Sequence, residues 1–217
     1  MHIIWHGQSC FEIMASQQKG EQIKIAIDPF SEEAGLKLPK IEPEILLVTH
    51  DHYDHNNTKA IGGSFFLIND PGEYEIKDVF IQGINSYHDE KEGKERGQNT
   101  IYTIEAEEMR LCHLGDFGQK ELTPEQLEKI GDIDILMVPV GGAFTIDAKG
   151  AAKIISQIEP RLAIPMHYHL PGLKIKLDSL EVFLKEMGRK SATPEPKLLI
   201  KKKDLIAEET KIVVLQP

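Results

Sequence analysis

An α+β fold, with sheets covered by helices in one domain over residues 1–217, is what the sequence predicts. Three observations carry this. The first half breaks into short β-like runs separated by turn residues, the second half alternates strand-like with helix-like segments, and no linker or repeat divides the chain. At 217 residues the chain is long enough to bury a substantial core. Its composition, 41% hydrophobic and 28% charged, is that of an ordinary globular protein.

Taken in order, the first strands are His2 to His6, Cys10 to Met14 and Gln22 to Asp28, punctuated by Gly7, by the polar stretch Ser16 to Gly20 and by Pro29. Ile45 to Thr49 is a compact apolar run of the kind buried on both faces. Ser64 to Ile68, Val79 to Gly83, Thr100 to Glu105 and Arg110 to Leu114 continue the β pattern, which in this half is expected to be mostly antiparallel. Helices come later. Thr123 offers an N-cap hydroxyl, with Pro124 at the first helical position and Gln126 at the third. Asp147 to Ile158 is a second helix, ended by Pro160, and Asp178 with Glu181 opens a third that Gly188 would stop. Buried-strand runs, Ile135 to Val138 and Leu162 to Pro165, lie between them.

Charge and cysteine content narrow the function classes. A net charge of -10 argues against a phosphate-backbone footprint, so no nucleic-acid partner is expected. The one basic run, Lys201-Lys202-Lys203, sits beside Asp204, Glu208 and Glu209 and reads as a solvated edge. Cys10 and Cys112 are too few for a disulfide framework and lack a CxxC partner. Flanked by Leu111 and Leu114, Cys112 reads as a small buried hydrophobe. A reducing, cytoplasmic setting is the expectation. Met1 to Trp5 reads as a strand and not as a leader, and no apolar run reaches the length of a membrane span, so no membrane partner is expected either.

The chemistry is concentrated after the buried run Ile45 to Val48, where Thr49-His50-Asp51-His52-Tyr53-Asp54-His55 opens into a loop. Strand ends that open into loops are where such folds place functional groups. Three histidines and an aspartate within six residues offer nitrogen and oxygen ligands suited to zinc, iron or manganese. One tetrahedral site rarely draws four ligands from so short a loop, so two metals explain the density better than one. The bland alternative is a polar surface loop.

His50, His52, Asp54 and His55 match the HxHxDH signature of the metallo-β-lactamase superfamily, and the resemblance covers nearly the whole chain. Trp5-His6-Gly7-Gln8-Ser9-Cys10-Phe11, Ile27-Asp28-Pro29-Phe30, Gly72-Glu73-Tyr74 and Arg96-Gly97-Gln98-Asn99-Thr100 look like a branch of small metal-dependent hydrolases. That branch is similar to the ascorbate-6-phosphate lactonases and, more distantly, to N-acyl-phosphatidylethanolamine phospholipase D. The resemblance implies an αββα sandwich, two mixed sheets flanked by helices, with the metals among loops at one sheet edge. It also implies a ligand set. The first metal would be held by His50, His52 and His88, the second by Asp54, His55 and His167, with Asp116 shared.

Each of the later ligands follows a strand-like run. His88 precedes a loop rich in glycine and charge, Asp116 lies in Gly115-Asp116-Phe117-Gly118, where the glycines would let the backbone approach an ion, and His167 follows Ile164-Pro165-Met166. His113 competes with His88, and His169 with His167. The spacing of three from Asp116 tends to turn His113 to the opposite face, which suits a supporting or core role, whereas a spacing of two leaves His169 open as a ligand. His2 and His6 read as structural. Asp28 and Asp51 are candidates to accept the second N–H of a metal-bound imidazole; for Asp28 a simple turn carboxylate before Pro29 is the alternative.

By this reading the protein is a hydrolase of small ester, lactone or phosphodiester substrates, with two divalent ions as cofactors and Asp54 and Asp116 orienting an activated water. Zinc is the first expectation, with Mn2+, Fe2+ and Ni2+ as alternatives. The segment Asp89 to Thr100 carries Arg96 and Asn99 as contacts for an anionic group, although its interleaved acids also fit an ordinary hairpin. Gly141-Gly142-Ala143-Phe144 could line the same cleft. The rivals are a nuclease, disfavoured by size and acidity, an iron-dependent oxidoreductase, disfavoured by His52 where the flavin-coupled branch usually has glutamate, and a metal-stabilised scaffold. Assembly into a homo-oligomer is left open.

Overall fold

The computed structural model describes residues 1–17, 20–205 and 209–217; Gln18 and Lys19 of the expected Ser16 to Gly20 turn, and Glu208 beside the lysine run, lie outside them. Two mixed sheets make the body of the protein, as the resemblance implied. The first contains β1 (His2–Gly7), β2 (Cys10–Ser16), β3 (Gln22–Ile27), β4 (Ile45–Leu47) and β5 (Phe66–Ile68), with β12 (Leu198–Leu199) added at one edge. Its order is β12-β1-β2-β3-β4-β5. The first three junctions are antiparallel and the last two parallel.

The second sheet contains β6 (Gly72–Ile76), β7 (Val79–Tyr87), β8 (Gln98–Ala106), β9 (Met109–His113), β10 (Ile135–Pro139), β11 (Leu162–Met166) and β13 (Lys211–Ile212). Its order is β13-β11-β10-β9-β8-β7-β6, parallel through β9 and antiparallel beyond. The strand–helix rhythm of the second half is what builds the parallel part. Here α1 (Pro124–Ile130) and α2 (Ala148–Ile158) alternate with β9, β10 and β11.

Local chemistry explains most boundaries. Thr123 and Gln126 form a reciprocal capping box at α1. Asp147 caps α2 by accepting from the Gly150 amide at 2.9 Å, and α2 buries Ala148, Ala151, Ile154 and Ile155 along one face. The third helix, α3 (Leu180–Glu186), starts later than Asp178 would have it, with Ser179 at the N-cap, and Gly188 stops it as expected, left-handed at φ +67° just past the C-cap Met187. Asp178 is instead tied into neighbouring loops, its amide donating to Gly141 and its carbonyl accepting from His169. The β7–β8 ladder runs on through Tyr87↔Gln98, past the expected Gly83, because the polar Asn85 and Ser86 pair through their backbones and the Ser86 hydroxyl adds a bond across the ladder to the Asn99 carbonyl at 2.9 Å. Three strands were not expected: β6 alternates Glu73 and Glu75 with Tyr74 and Ile76, and β12 and β13 are two-residue pairings at the short apolar runs Leu198 to Ile200 and Ile212 to Leu215.

One continuous buried cluster draws on both sheets, including Trp5, Phe11, Ile25 and Leu47 from the first and Ile81, Tyr102, Ile104 and Leu111 from the second. Each such side chain contributes about 1.5–3 kcal/mol by leaving water. Tyr102 also ties the sheets together, its hydroxyl donating to the Val48 carbonyl at 3.0 Å. The opposite face of the first sheet buries Cys10, Ala26, Phe30, Ile41, Leu46 and Ile61. The segment 28–65, with two short 3-10 turns, supplies Phe30, Ile41 and Ile61 to that layer. Among the described residues no helix is long and apolar enough to cross a membrane.

Candidate metal centre

The site forms at one end of the sandwich, where β3, β4, β7, β9 and β11 all release their chains. After β4 come His50, His52, Asp54 and His55; His88 follows β7 at once, Asp116 follows β9 by three residues, and His167 follows β11 at once. These side chains converge. Three groupings place one ligand atom per residue within 4.8 Å of the others: His50 with His52 and His88, Asp54 with His55 and His167, and His50 with His55 and Asp116 between them.

Asp116 sits at the middle. Its Oδ2 lies 3.2 Å from His55 Nε2, 3.4 Å from His88 Nε2 and 3.4 Å from His167 Nε2. Burial alone would favour its neutral form, but His167 and His55 hold the carboxyl well below the usual carboxylate range. Burial keeps His50 well below its ordinary pKa, and His88 down at about 4. His167 is lowered by burial in the same way. Neutral imidazoles with free lone pairs are what a metal needs. His55 goes the other way: burial opposes its charge, but Asp116 and Asp28 raise its pKa well above normal.

A divalent cation fits this donor set. His50 Nε2, His55 Nε2, His88 Nδ1 and His167 Nδ1 are buried ring nitrogens with no hydrogen-bond partner among the described residues. Orphaned buried polar atoms on this scale are unusual, and a metal would satisfy those that face it.

Supporting residues are equally specific. Asp28, fully buried, accepts from His55 Nδ1 at 3.0 Å, from the Thr49 amide at 2.8 Å and from the Thr49 hydroxyl at 2.7 Å. That is the carboxylate–imidazole contact expected of it. Asp51 is not brought to the imidazoles. Its side chain points to solvent, accepting from Asn56 at 2.8 Å, because it alternates with the inward-facing His50 and His52. Asn99 is buried with its amide committed internally, donating to Ser86 Oγ and the Leu114 carbonyl and accepting from the Asp116 amide. It therefore positions Asp116 and has no donor left for a substrate. His113 is also buried, accepting from the Gly115 amide and donating to the Ser9 carbonyl, and it joins no ligand grouping. His169 is exposed and joins none either.

The glycines around Asp116 make room for protein, not for an ion. A Cβ on Gly115, whose φ is +57°, would lie 2.3 Å from Asn99 Oδ1, and one on Gly118 would lie 2.4 Å from the His88 carbonyl carbon. Two contributors went unread in the sequence. Gln8 and Ser9, the two turn residues between β1 and β2, reach Asp54 Oδ2 and Asp116 Oδ1, each at 3.3 Å. A buried polar pair in a hairpin turn is their only signal, and sequence does not show burial there.

Two cavities adjoin other parts of the molecule. A cleft of about 440 Å³ opens beside His88 and is lined by Arg96, Lys120, Phe144 and the start of α2, so the Gly142 to Phe144 loop does line it. A larger cleft, about 940 Å³, lies at the opposite end of the strands. It contains no histidine, and its Asp134 is paired with Lys202 at 2.7 Å, so it is remote from the metal-type chemistry.

Comparison with known proteins agrees with this geometry. Residues 2–167 match the β-lactamase superfamily domain family. A metal-dependent hydrolase from Thermoplasma volcanium is 30% identical over 207 residues, covering 82% of this chain and 87% of that protein. Another from Thermococcus onnurineus is 30% identical over 193 residues, covering 75% and 82%. Among solved structures, a Thermotoga maritima protein assigned as a Zn-dependent hydrolase of the metallo-β-lactamase superfamily is 33% identical, with a TM-score of 0.79 over 99% of this chain and 97% of that one. On its fold, its His/Asp cluster and these relatives, the chain belongs to the metallo-β-lactamase superfamily.

Proposed function

We propose that this protein is a hydrolase of small ester, lactone or phosphodiester substrates, and that its His/Asp cluster holds two divalent cations, with zinc favoured. The observation that carries the reading is Asp116, whose single Oδ2 faces nitrogens of His55, His88 and His167 between two outer ligand groupings. The hydrolase names of the relatives at 30% and 33% identity support the reaction class. His50, His52 and His88 would hold one ion, Asp54, His55 and His167 the other, and Asp116 would serve both.

When bound, such ions supply Lewis acidity, polarising a carbonyl or phosphoryl oxygen and bringing the pKa of water toward neutrality. The chain supplies the rest. Asp28 fixes His55 with Nδ1–H as donor, leaving Nε2 free to face the cluster. Gln8 and Ser9 hold the carboxylates of Asp54 and Asp116, so neither must reorient as charge develops. Among the described residues, neither cysteine nor Ser9 is suited to act as a covalent nucleophile. Burial pushes both the Cys10 and Cys112 thiols up, away from thiolate, and the Ser9 hydroxyl is bonded to Asp116 instead of to an imidazole. Two free, buried thiols also suit a reducing compartment.

The test is hydrolysis of a small panel of lactone, phosphodiester and β-lactam substrates by the purified protein, with and without chelator. Turnover of one class that chelation abolishes and Zn2+ restores is the expected result. Turnover indifferent to chelation would overturn the reading.

A further inference from the structure

We propose that Arg96, stacked on Phe144, recognises an anionic arm of the substrate, a carboxylate or phosphate group, in the cleft beside His88. This rests on the hydrolytic reading and narrows its substrate class.

The charges around that cleft pair off one by one. Lys91 meets Glu95 at 2.5 Å, Lys94 meets Glu92 at 3.6 Å, and Lys120 meets Glu90 at 3.2 Å. Asp89 is consumed by four backbone amides, those of Lys91, Gly93, Glu95 and Arg96, at 2.7–3.0 Å. Asp147 caps α2. Arg96 is left over: among the described residues it has no carboxylate within 4.0 Å, and its guanidinium makes no hydrogen bond. It is nevertheless placed. Its amide is pinned to Asp89 Oδ2 at 2.8 Å, and its guanidinium carbon sits 4.4 Å from the centre of the Phe144 ring.

Stacking uses the face of a guanidinium and leaves its edge, the N–H fork that fits a carboxylate or phosphate in bidentate fashion. Arg96 and His88 both line the cleft of about 440 Å³, which is the size of a small-molecule site. In a chain of net charge -10, a half-buried arginine without an anion next to a ligand cluster is a built recognition element. An arm on the substrate would complete it, and the scissile bond would then lie toward His88.

The experiment compares two esters that differ only in that arm, mono-4-nitrophenyl glutarate and 4-nitrophenyl valerate, with Zn2+-loaded wild type and R96Q. Wild type is expected to favour the glutarate, and R96Q to lose that preference by about tenfold or more through KM, with kcat and the valerate rate little changed. R96K, which keeps charge but not the fork, should fall between. Equal slowing on both esters, or no preference in wild type, would overturn the proposal. A second readout is independent of turnover: the Arg96 side-chain N–H resonance, assigned by its loss in R96Q, is followed during titration with glutarate and with inorganic phosphate, in Zn2+-loaded and chelated protein. A saturable shift supports the site and ranks the two anions, and its absence with both overturns it. If neither ester turns over, the hydrolytic reading fails for such esters by itself and the titration still decides on Arg96.

Discussion

Replacing Asp28 with asparagine tests how much of the site is held from behind. Its two oxygens take three donors: the Thr49 amide at 2.8 Å, the Thr49 hydroxyl at 2.7 Å and His55 Nδ1 at 3.0 Å. Asparagine keeps the left-handed backbone at this residue, φ +48°, but has one acceptor oxygen where aspartate has two. Its NH2 must therefore face either the Thr49 amide, donor against donor, or His55 Nδ1. In the second case Nδ1 becomes an acceptor and the proton moves to Nε2, the nitrogen 3.2 Å from Asp116 Oδ2. Loss of such a supporting partner lowers metal affinity about 10–100-fold, or about 1.4–2.7 kcal/mol. One unmet buried donor costs the metal-free fold about 1–3 kcal/mol. Asp28→Ala would orphan the Thr49 amide and His55 Nδ1, leave the Thr49 hydroxyl only His50 Nδ1 at 3.0 Å, and threaten folding itself, against a total stability of about 5–15 kcal/mol. The assay is competition for Zn2+ with a chromophoric chelator, alongside thermal unfolding of the chelated protein. A folded Asp28→Asn protein that binds Zn2+ as tightly as wild type would refute the reasoning.

Three further outcomes follow from the same geometry. Gly118→Ala should weaken metal retention without touching a ligand, because its Cβ would fall 2.4 Å from the His88 carbonyl carbon; unchanged metal content would contradict this. Asn99→Ala, which orphans the Asp116 amide and the Leu114 carbonyl and removes one of the two bonds of Ser86 Oγ, should cost about 2–4 kcal/mol in denaturant unfolding, and a cost under about 1 kcal/mol would show those bonds to be incidental. In the chelated protein, His88 binds fewer protons than the unfolded chain between its native value of about 4 and its ordinary 6.5, and the lowered His50 and His167 act in the same direction. Stability should therefore fall as pH is lowered through that window, whereas raised His55 contributes until pH climbs through its native pKa. A melting temperature that stays flat or rises from pH 7 to pH 4.5 would contradict the assignment of neutral imidazoles.

How much of this was legible in the sequence depended on whether the signal was local. His50, His52, Asp54 and His55 share one loop, so their chemistry shows in the string itself. His88, Asp116 and His167 were placed by resemblance; apolar runs mark the strand ends before Asp116 and His167, whereas the polar Asn85 and Ser86 obscure the one before His88. The capping box of α1 is local too and formed where Thr123 and Gln126 predict it, and α2 starts at the expected place, with Asp147 serving as its cap. What failed was what depends on distant partners. Asp178 looks like a helix cap until the Gly141 carbonyl takes its amide. Asp51 looks like a supporting carboxylate until the alternation of the loop turns it to solvent. Gln8 and Ser9 acquire their roles only because the tight turn between β1 and β2 brings them to carboxylates 46 and 107 residues away. Strands β12 and β13 are two residues each, too short to show a period.

The central claim is that one carboxylate, Asp116, joins two ligand groups into a two-metal site. Elemental analysis of the purified protein after metal supplementation and removal of excess ion tests it most directly, with His52→Ala and His167→Ala measured beside wild type. The account predicts about two transition-metal ions per wild-type chain and about one in each variant, since each variant removes a ligand from a different group. One ion or none in the supplemented wild type would contradict it.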